Sequence, residues 1–264
     1  MNDLPLSRSG QDAQTIAIRA AREAGTILKD YYSHEKRIES KGNRNLVTET
    51  DLLSEKSILK ILHDEYPEHS VLCEESGESE TVSEYCWIID PLDGTTNYAF
   101  GIGHFCVSIA LTLNGEVLLG VIYDPLKDEM FRARKSAGAF LNDIPISVAR
   151  ERGLAMTLIG FDLGYDDTAS KEMISMANDL WSARTTFRLM GSAALGITYV
   201  ACGRLDLYFH RSLYSWDIAA AILLLREAGG EITDWEGKPA TVRNKQVIAC
   251  SDFSEHRDLI AALK

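Results

Sequence analysis

Glu74 and Glu75 are followed fifteen residues later by Asp90-Pro91-Leu92-Asp93-Gly94-Thr95-Thr96. Asp90 leaves the apolar run Trp87-Ile88-Ile89, a short buried strand by composition. A carboxylate carried into such surroundings is costly unless a cation or hydrogen bonds compensate it. Pro91 and Gly94 force a tight turn that brings Asp93 beside Asp90 and leaves the Leu92 carbonyl outside regular pairing. Two carboxylates and a carbonyl are hard oxygen ligands suited to Mg²⁺, and the motif contains no Cys or His to suggest zinc. Gly94-Thr95-Thr96 can begin a short helix or nest whose N–H groups take a phosphate. A D-P-x-D-G string is also an ordinary surface turn, and a Glu-Glu pair is often merely solvated. Their combination after a buried strand favours a metal site with an anion site beside it.

A second group is Trp216-Asp217-Ile218-Ala219-Ala220, opening a helix that closes at Glu227-Ala228-Gly229-Gly230. Asp217 falls in the first turn, where a carboxylate is either a simple cap or a functional group. Ser108, Ser192 and Ser251 lack a nucleophile elbow, and His104 reads as a packed or surface residue.

Asp90-Pro-Leu-Asp-Gly-Thr-Thr-Asn, the upstream Cys73-Glu-Glu-Ser and the downstream Trp216-Asp-Ile-Ala-Ala with Glu227-Ala-Gly-Gly resemble the signatures of the inositol monophosphatase family of Mg²⁺-dependent, lithium-sensitive phosphatases. The resemblance runs from about Lys41 to Ser251. It implies a layered α/β/α/β/α sandwich with the active site between two halves. Glu74, Asp90, the Leu92 carbonyl, Asp93 and Asp217 would form the metal shell for two or three Mg²⁺ ions. Glu74 and Asp90 would serve the first ion, and Asp90, Asp93 and Asp217 the second. Gly94 and Thr95 would take the phosphate through backbone N–H groups, and Thr95 with Glu74 would orient the attacking water. Lys41 and Asp51 match the family's mobile-loop lysine and an outer carboxylate that assists a third ion; a solvated loop lysine and a helix cap are their plainer readings. Gly191-Ser192-Ala193 resembles the contact to sugar hydroxyls, or is a small-residue helix start. Glu74, Leu92, Asp93 and Asp217 would line the substrate as well.

Seven residues before Asp217, where many inositol phosphatases carry a Glu, this chain has His210. With Arg211 it suits another hydroxyl pattern or a second phosphate, or is a surface histidine. The favoured substrate is inositol monophosphate, with fructose 1,6-bisphosphate, histidinol phosphate and a 3′-phosphonucleotide as alternatives. A regulatory protein using the same fold as a partner surface is the reading from another class. Its mark would be a lost metal carboxylate, and none is lost here. The resemblance also implies a homodimer.

The elements that must position these groups follow from periodicity. Apolar residues at Ile16, Ala20, Ala24, Ile27, Leu28 and Tyr31 predict a helix over Gln11 to Tyr32. Lys41 to Asn45 reads as a mobile loop. Thr48 and Asp51 fit a capping box for a second helix, with Leu52, Leu53, Ile58, Leu59, Ile61 and Leu62 buried and Pro67 as its stop. Phe105 to Leu141 reads as an antiparallel meander punctuated by Asn114-Gly115, Asp124-Pro125 and Gly138. Beyond it, strands and helices alternate: strand Ala155 to Ile159, helix Ala169 to Trp181, strand Thr185 to Leu189, helix Ser192 to Ala201, strand Leu205 to Phe209, helix Trp216 to Ala228 and strand Gln246 to Ala249. The fold class is therefore α/β, with an α+β half over residues 1–146 and an α/β half over 147–264 packed as one unit.

Composition sets the outer bounds. The 264 residues are 45% hydrophobic and 25% charged, enough for a full core. Lys plus Arg number 27 against 39 Asp plus Glu, a net charge of −12, which opposes nucleic acid as the main partner. That surplus is either a solvated surface or, in part, carboxylates gathered around a cation. No signal peptide or membrane span is legible, so a cytoplasmic location without membrane association is expected. The five cysteines contain no C-x-x-C pair and read as buried reduced thiols.

Overall fold

The structure is a computed structural model that describes residues 4–34, 38–42, 45–149, 157–164, 166–181 and 185–252, the side chains of 41, 42 and 45 excepted. Asp12 caps the first helix, α1 (Ala13–Tyr32), by accepting from the Thr15 N–H at 2.8 Å. The buried stripe of α1 runs through Ile16, Ala17, Ala20, Ala24 and Leu28. Its small residues let the helix lie close to the sheet beneath: a Cβ at Gly25 would sit 2.5 Å from the Tyr123 ring. Tyr31, expected on this stripe, is exposed.

Lys41 to Asn45, expected as a loop, instead belongs largely to a hairpin. β1 (Ile38–Gly42) pairs antiparallel with β2 (Asn45–Thr48), and residues 43–44 lie outside the described residues. α2 (Glu49–Glu65) follows and stops before Pro67. Its buried face differs from the apolar set expected. Leu52 is exposed, whereas Asp51, Ser54 and Glu55 are buried with Ile58 and Leu62. The 3.6-residue period places these five on one side. That side meets the polar turn described below as well as the core, so part of it must carry polar groups.

β3 (Ser70–Cys73), β4 (Gly77–Glu78), β5 (Tyr85–Asp93), β6 (Cys106–Leu113), β7 (Glu116–Asp124), β8 (Glu129–Arg134), β9 (Ala139–Leu141) and β10 (Ile144–Ile146) form an eight-stranded sheet in the order β10-β9-β8-β7-β6-β5-β3-β4. From β5 to β10 every neighbour is antiparallel, the expected meander, while β3 runs parallel to β5. Pro145 is accommodated because β10 is an edge strand. Gly94 alone separates β5 from the short helix α3 (Thr95–Ala99).

The second sheet has the order β12-β11-β13-β15-β14, from β11 (Thr157–Phe161), β12 (Thr185–Leu189), β13 (Leu207–His210), β14 (Glu231–Thr233) and β15 (Val247–Cys250). α4 (Asp167–Asp179), α5 (Ala193–Ala201) and α6 (Ser215–Glu227) complete the described elements. Three apolar clusters define the layers. One, with Ile16, Ile58, Leu62, Trp87 and Ile109, joins α1 and α2 to the large sheet. Another, with Ile122, Phe131, Leu195, Tyr208 and Leu224, fills the space from the large sheet through α5 and α6 to the second sheet. The third, with Ile159, Met173, Leu180 and Phe209, seats α4 on the outer face of the second sheet. The result is an α/β/α/β/α sandwich. α6 lies directly on β7, where a Cβ at Gly120 would come within 2.6 Å of the Ala220 carbonyl oxygen.

All five cysteines are free; Cys73, Cys106 and Cys250 are buried, while Cys86 and Cys202 are only half-buried. Among the described residues no helix is long and apolar enough to cross a membrane.

Candidate active site

An irregularity in β5 creates the centre of the site. Asp90 pairs with Ser108 of β6 and Asp93 with Cys106, so three steps on β5 are matched by two on its neighbour. In a regular strand, residues three apart point to opposite faces; an inserted residue bends the strand and lets both carboxylates face the same way. Pro91 has no N–H to pair, its carbonyl accepts from Ser54 Oγ at 2.8 Å, and the Leu92 N–H donates to Asp90 Oδ1 at 3.0 Å. Asp217 arrives from the first turn of α6, its Oδ2 accepting from the Tyr214 N–H at 2.7 Å. Ligand oxygens of Asp90, Asp93 and Asp217 then lie within 4.8 Å of one another.

None of the three is in an ion pair among the described residues. Burial, and next the charges of Glu74, Asp93 and Asp217, push the Asp90 carboxyl well above its ordinary range. Burial followed by the Asp93 charge raises Asp217. Burial also raises Asp93, against the lowering effect of its hydrogen bonds. Two carboxylates at 4.8 Å repel by roughly 3 kcal/mol at an effective dielectric constant of about 20. This donor set fits a hard divalent cation: three convergent carboxylates with no imidazole among them, and Leu92, whose carbonyl is a further hard oxygen, between two of them in sequence. The nearest thiol, Cys106, donates to Asp93 Oδ2 at 3.8 Å and is held protonated by burial.

Glu74 continues from β3, whose parallel register sets Cys73 opposite Ile89, and its N–H donates to the Ile89 carbonyl at 3.3 Å. It therefore stands beside Asp90 and raises its pKa, yet lies outside the tight trio. The Glu75 N–H donates to Glu55 Oε2 at 3.1 Å.

Gly94 turns the chain at φ 97° to cap α3. A Cβ there would meet the carbonyl oxygens of Gly191 and His104, each at 3.1 Å. The first N–H groups of the helix it opens have no intrahelical partner. Thr95 Oγ1 lies 3.0 Å from both Asp51 Oδ1 and the Leu92 carbonyl, with one proton to give. Asp51 joins the site from the first turn of α2, where its other oxygen accepts from the Thr48 N–H at 2.9 Å. Burial pushes its carboxyl up to about 6. It is thus both a helix cap and a neighbour of Thr95. The side chain of Lys41 lies outside the described residues.

The Gly191-Ser192-Ala193 turn is held internally. The Gly191 N–H donates to Asp162 Oδ1 at 2.6 Å; Ser192 Oγ and the Ala194 N–H donate to Asp93 Oδ2, the latter at 2.8 Å; the Ala193 N–H reaches Asp93 Oδ1 at 3.3 Å. Asp93 is thereby docked on the N-terminus of α5, which favours its charge. Asp162 is the residue that sequence reasoning passed over. It is buried at the end of β11, accepts from Tyr208 Oη at 2.8 Å as well, and is pushed up to about 7 by burial. The available signal was an Asp leaving an apolar strand, as at Asp90.

His210 is buried, not a surface residue; its Nδ1 accepts from the Ser212 N–H at 2.9 Å, and burial lowers its pKa to about 4. Arg211 is committed to Glu172 at 2.6 Å and stacks over Trp235 at 5.1 Å. A neutral imidazole beside a paired arginine suits hydroxyl groups better than a second phosphate. His104 is packed edge-on to Tyr199 and neutral for the same reason. The Glu227 carboxylate accepts from the N–H groups of Ser136, Ala137 and Gly138 at 2.7, 3.1 and 2.8 Å, which gives the downstream motif a structural task.

Residues 10–264 match the model of the inositol monophosphatase family. A Nus factor SuhB from Pasteurella multocida is 40% identical over 240 residues, covering 89% of this chain and 90% of that protein. An inositol monophosphatase from Dictyostelium discoideum is 40% identical over 239 residues, covering 88% of each. The solved inositol monophosphatase structure from Anabaena superposes with a TM-score of 0.83 at 38% identity, covering 95% of this chain and 94% of that one.

Proposed function

Because the chain belongs to the inositol monophosphatase family, we propose that it is an Mg²⁺-dependent phosphomonoesterase acting on a small phosphorylated polyol, with inositol monophosphate as the favoured substrate. The observation that carries this reading is the buried Asp90–Asp93–Asp217 trio beside the glycine-capped start of α3. Asp90, Asp93 and Asp217, with the Leu92 carbonyl and Glu74 alongside, would hold the cations. Bound there, Mg²⁺ supplies the positive charge that hydrolysis of a phosphate dianion requires and makes water a better nucleophile.

The chain's own groups do the rest. The N–H groups of Gly94 and Thr95 bind the phosphate oxygens at the helix start. Thr95 Oγ1 orients the attacking water and passes a proton toward Asp51 Oδ1, 3.0 Å away. Asp51, raised to about 6 by burial, is poised to take that proton near neutral pH. The donors on Asp93 keep that carboxylate in place as charge shifts around it. His210, neutral and buried with Nδ1 accepting from the Ser212 N–H, lines the polyol side and offers its Nε2–H as a donor to a hydroxyl. Five of the twelve surplus negative charges, those of Asp51, Glu74, Asp90, Asp93 and Asp217, serve this one site, and bound cations reverse the local field to one that attracts phosphate.

The SuhB-named relatives favour a second reading in which the fold also serves a regulatory protein partner. The two are compatible, and retention of every candidate metal carboxylate supports catalysis. A phosphate-release screen with Mg²⁺ over inositol 1-phosphate, fructose 1,6-bisphosphate, histidinol phosphate and a 3′-phosphoadenosine nucleotide tests the proposal. Turnover strongest with inositol 1-phosphate supports it; no turnover on any substrate leaves the regulatory reading.

A further inference from the structure

Asn97 of α3 is buried, two residues beyond Thr95, and its side-chain nitrogen donates twice: to the His104 carbonyl at 2.8 Å and to the Met190 carbonyl at 2.9 Å. His104 lies in the turn after α3, whereas Met190 follows β12 in the other half of the chain. The Met190 N–H is already held by the Phe161 carbonyl at 3.3 Å, and the next N–H, that of Gly191, by Asp162. Gly191 adopts φ +68°, and a Cβ there would fall 2.6 Å from Asn97 Nδ2 and 2.8 Å from Oδ1. Glycine at 191 is thus required by backbone conformation and by the approach of this amide. One buried side chain fastens the start of α3 to the turn carrying Ser192.

We propose that Asn97 is a positioning residue that fixes the spacing between the phosphate-binding start of α3 and the Gly191–Ala193 turn, so that a ligand's phosphate and its hydroxyls are met together. The inference rests on the phosphatase reading above and deepens it. A primary amide supplies two N–H donors from one atom. Aspartate would turn acceptors toward two carbonyl oxygens, serine offers one donor, and glutamine is one methylene too long for the gap over Gly191.

Asn97→Ala, Asn97→Ser and Asn97→Asp are compared with the unaltered protein by two readouts. The first is Mg²⁺-supported hydrolysis of inositol 1-phosphate with inorganic phosphate as competitor. In Asn97→Ala the KM rises about tenfold, the size expected from two lost amide hydrogen bonds. The serine variant falls between, the aspartate variant lies beyond, and the Ki of inorganic phosphate, which meets only the α3 side, changes less than about threefold. The second is amide hydrogen exchange without substrate, in which residues 94–99 and 190–195 lose protection together. KM and Ki rising in parallel, exchange confined to residues 94–99, or no change in either readout would each overturn the proposal. If the unaltered protein hydrolyses no phosphate ester, the phosphatase reading fails while the exchange experiment still decides whether Asn97 couples the two segments. Should Asn97→Asp fail to fold, the alanine and serine variants carry the test.

Discussion

Asp90 and Asp162 begin from the same local device and end in different places. Each follows an apolar strand segment, residues 87–89 of β5 or 158–161 of β11, and each is buried with a raised pKa. Asp162 meets donors, the Gly191 N–H and the Tyr208 hydroxyl, and becomes a lock on a turn. Asp90 meets other carboxylates, Asp93 from the irregular strand and Asp217 from α6, and becomes part of a site that a cation completes. What separates a structural aspartate from a metal-holding one is the company that the tertiary fold brings, not the strand that delivers it.

The largest expected effect of breaking this contrast is on turnover. Asp90→Asn and Asp93→Asn should each lower Mg²⁺-dependent phosphate release by about a thousandfold or more, with the far-ultraviolet circular dichroism of the native protein retained. Asp162→Asn, in which the amide oxygen still accepts from Gly191 and the NH₂ can donate to Tyr208, should stay within about tenfold. Loss of activity in Asp162→Asn as deep as in Asp90→Asn would erase the distinction.

Gly94→Ala comes next. At φ 97°, and with two carbonyl oxygens 3.1 Å from the new Cβ, it should cost about 1–3 kcal/mol in urea unfolding and reduce activity on the order of a hundredfold. Wild-type stability together with wild-type turnover would show that the turn tolerates a side chain.

The two regions should share a response to pH and differ in their response to cation. For a carboxyl whose folded pKa is raised, the native state binds more protons than the unfolded chain, so stability falls as pH rises above about 4. Without Mg²⁺, unfolding free energy should therefore decline from pH 4 toward pH 8. Mg²⁺ should raise the melting temperature more at pH 8 than at pH 5, because the trio must be ionised to bind. Asp162, with a folded pKa of about 7, contributes to the decline between about 4 and 7 whether or not Mg²⁺ is present. Asp162→Asn should flatten that part of the curve by about 1 kcal/mol or more and leave the Mg²⁺ response intact. Parallel curves for the variant and the native protein would contradict the assignment.

Much of this was legible from residue order, for identifiable reasons. The strand before Asp90, the turn through Pro91 and Gly94, and the α5 and α6 starts at Ser192 and Asp217 carry strong local signals, and each element formed where its pattern lies. The misses share a cause. Periodicity tells which residues of α2 share a face, but not that this face meets polar groups, so the apolar pattern points Leu52 inward and leaves out Asp51, Ser54 and Glu55. β1 and β2 are too polar to announce a hairpin, and β3, only four residues long, is defined by its partner β5. The N–H groups of the Gly191-Ser192-Ala193 turn also hold Asp162 and Asp93, a pairing between residues up to 101 positions apart that no local pattern carries. Asp162 itself needed Tyr208 and Gly191 in view before its role could be read.

The most direct test is calorimetric titration of Mg²⁺ into the unaltered protein, Asp217→Asn and Asp162→Asn at pH 8. Asparagine at 217 still accepts from the Tyr214 N–H, so the helix cap survives while one charge of the trio is removed. The account predicts saturable binding in the native protein and in Asp162→Asn, and binding at least tenfold weaker in Asp217→Asn. Equal Mg²⁺ affinity in all three would contradict the claim that the convergence of Asp90, Asp93 and Asp217 makes the site.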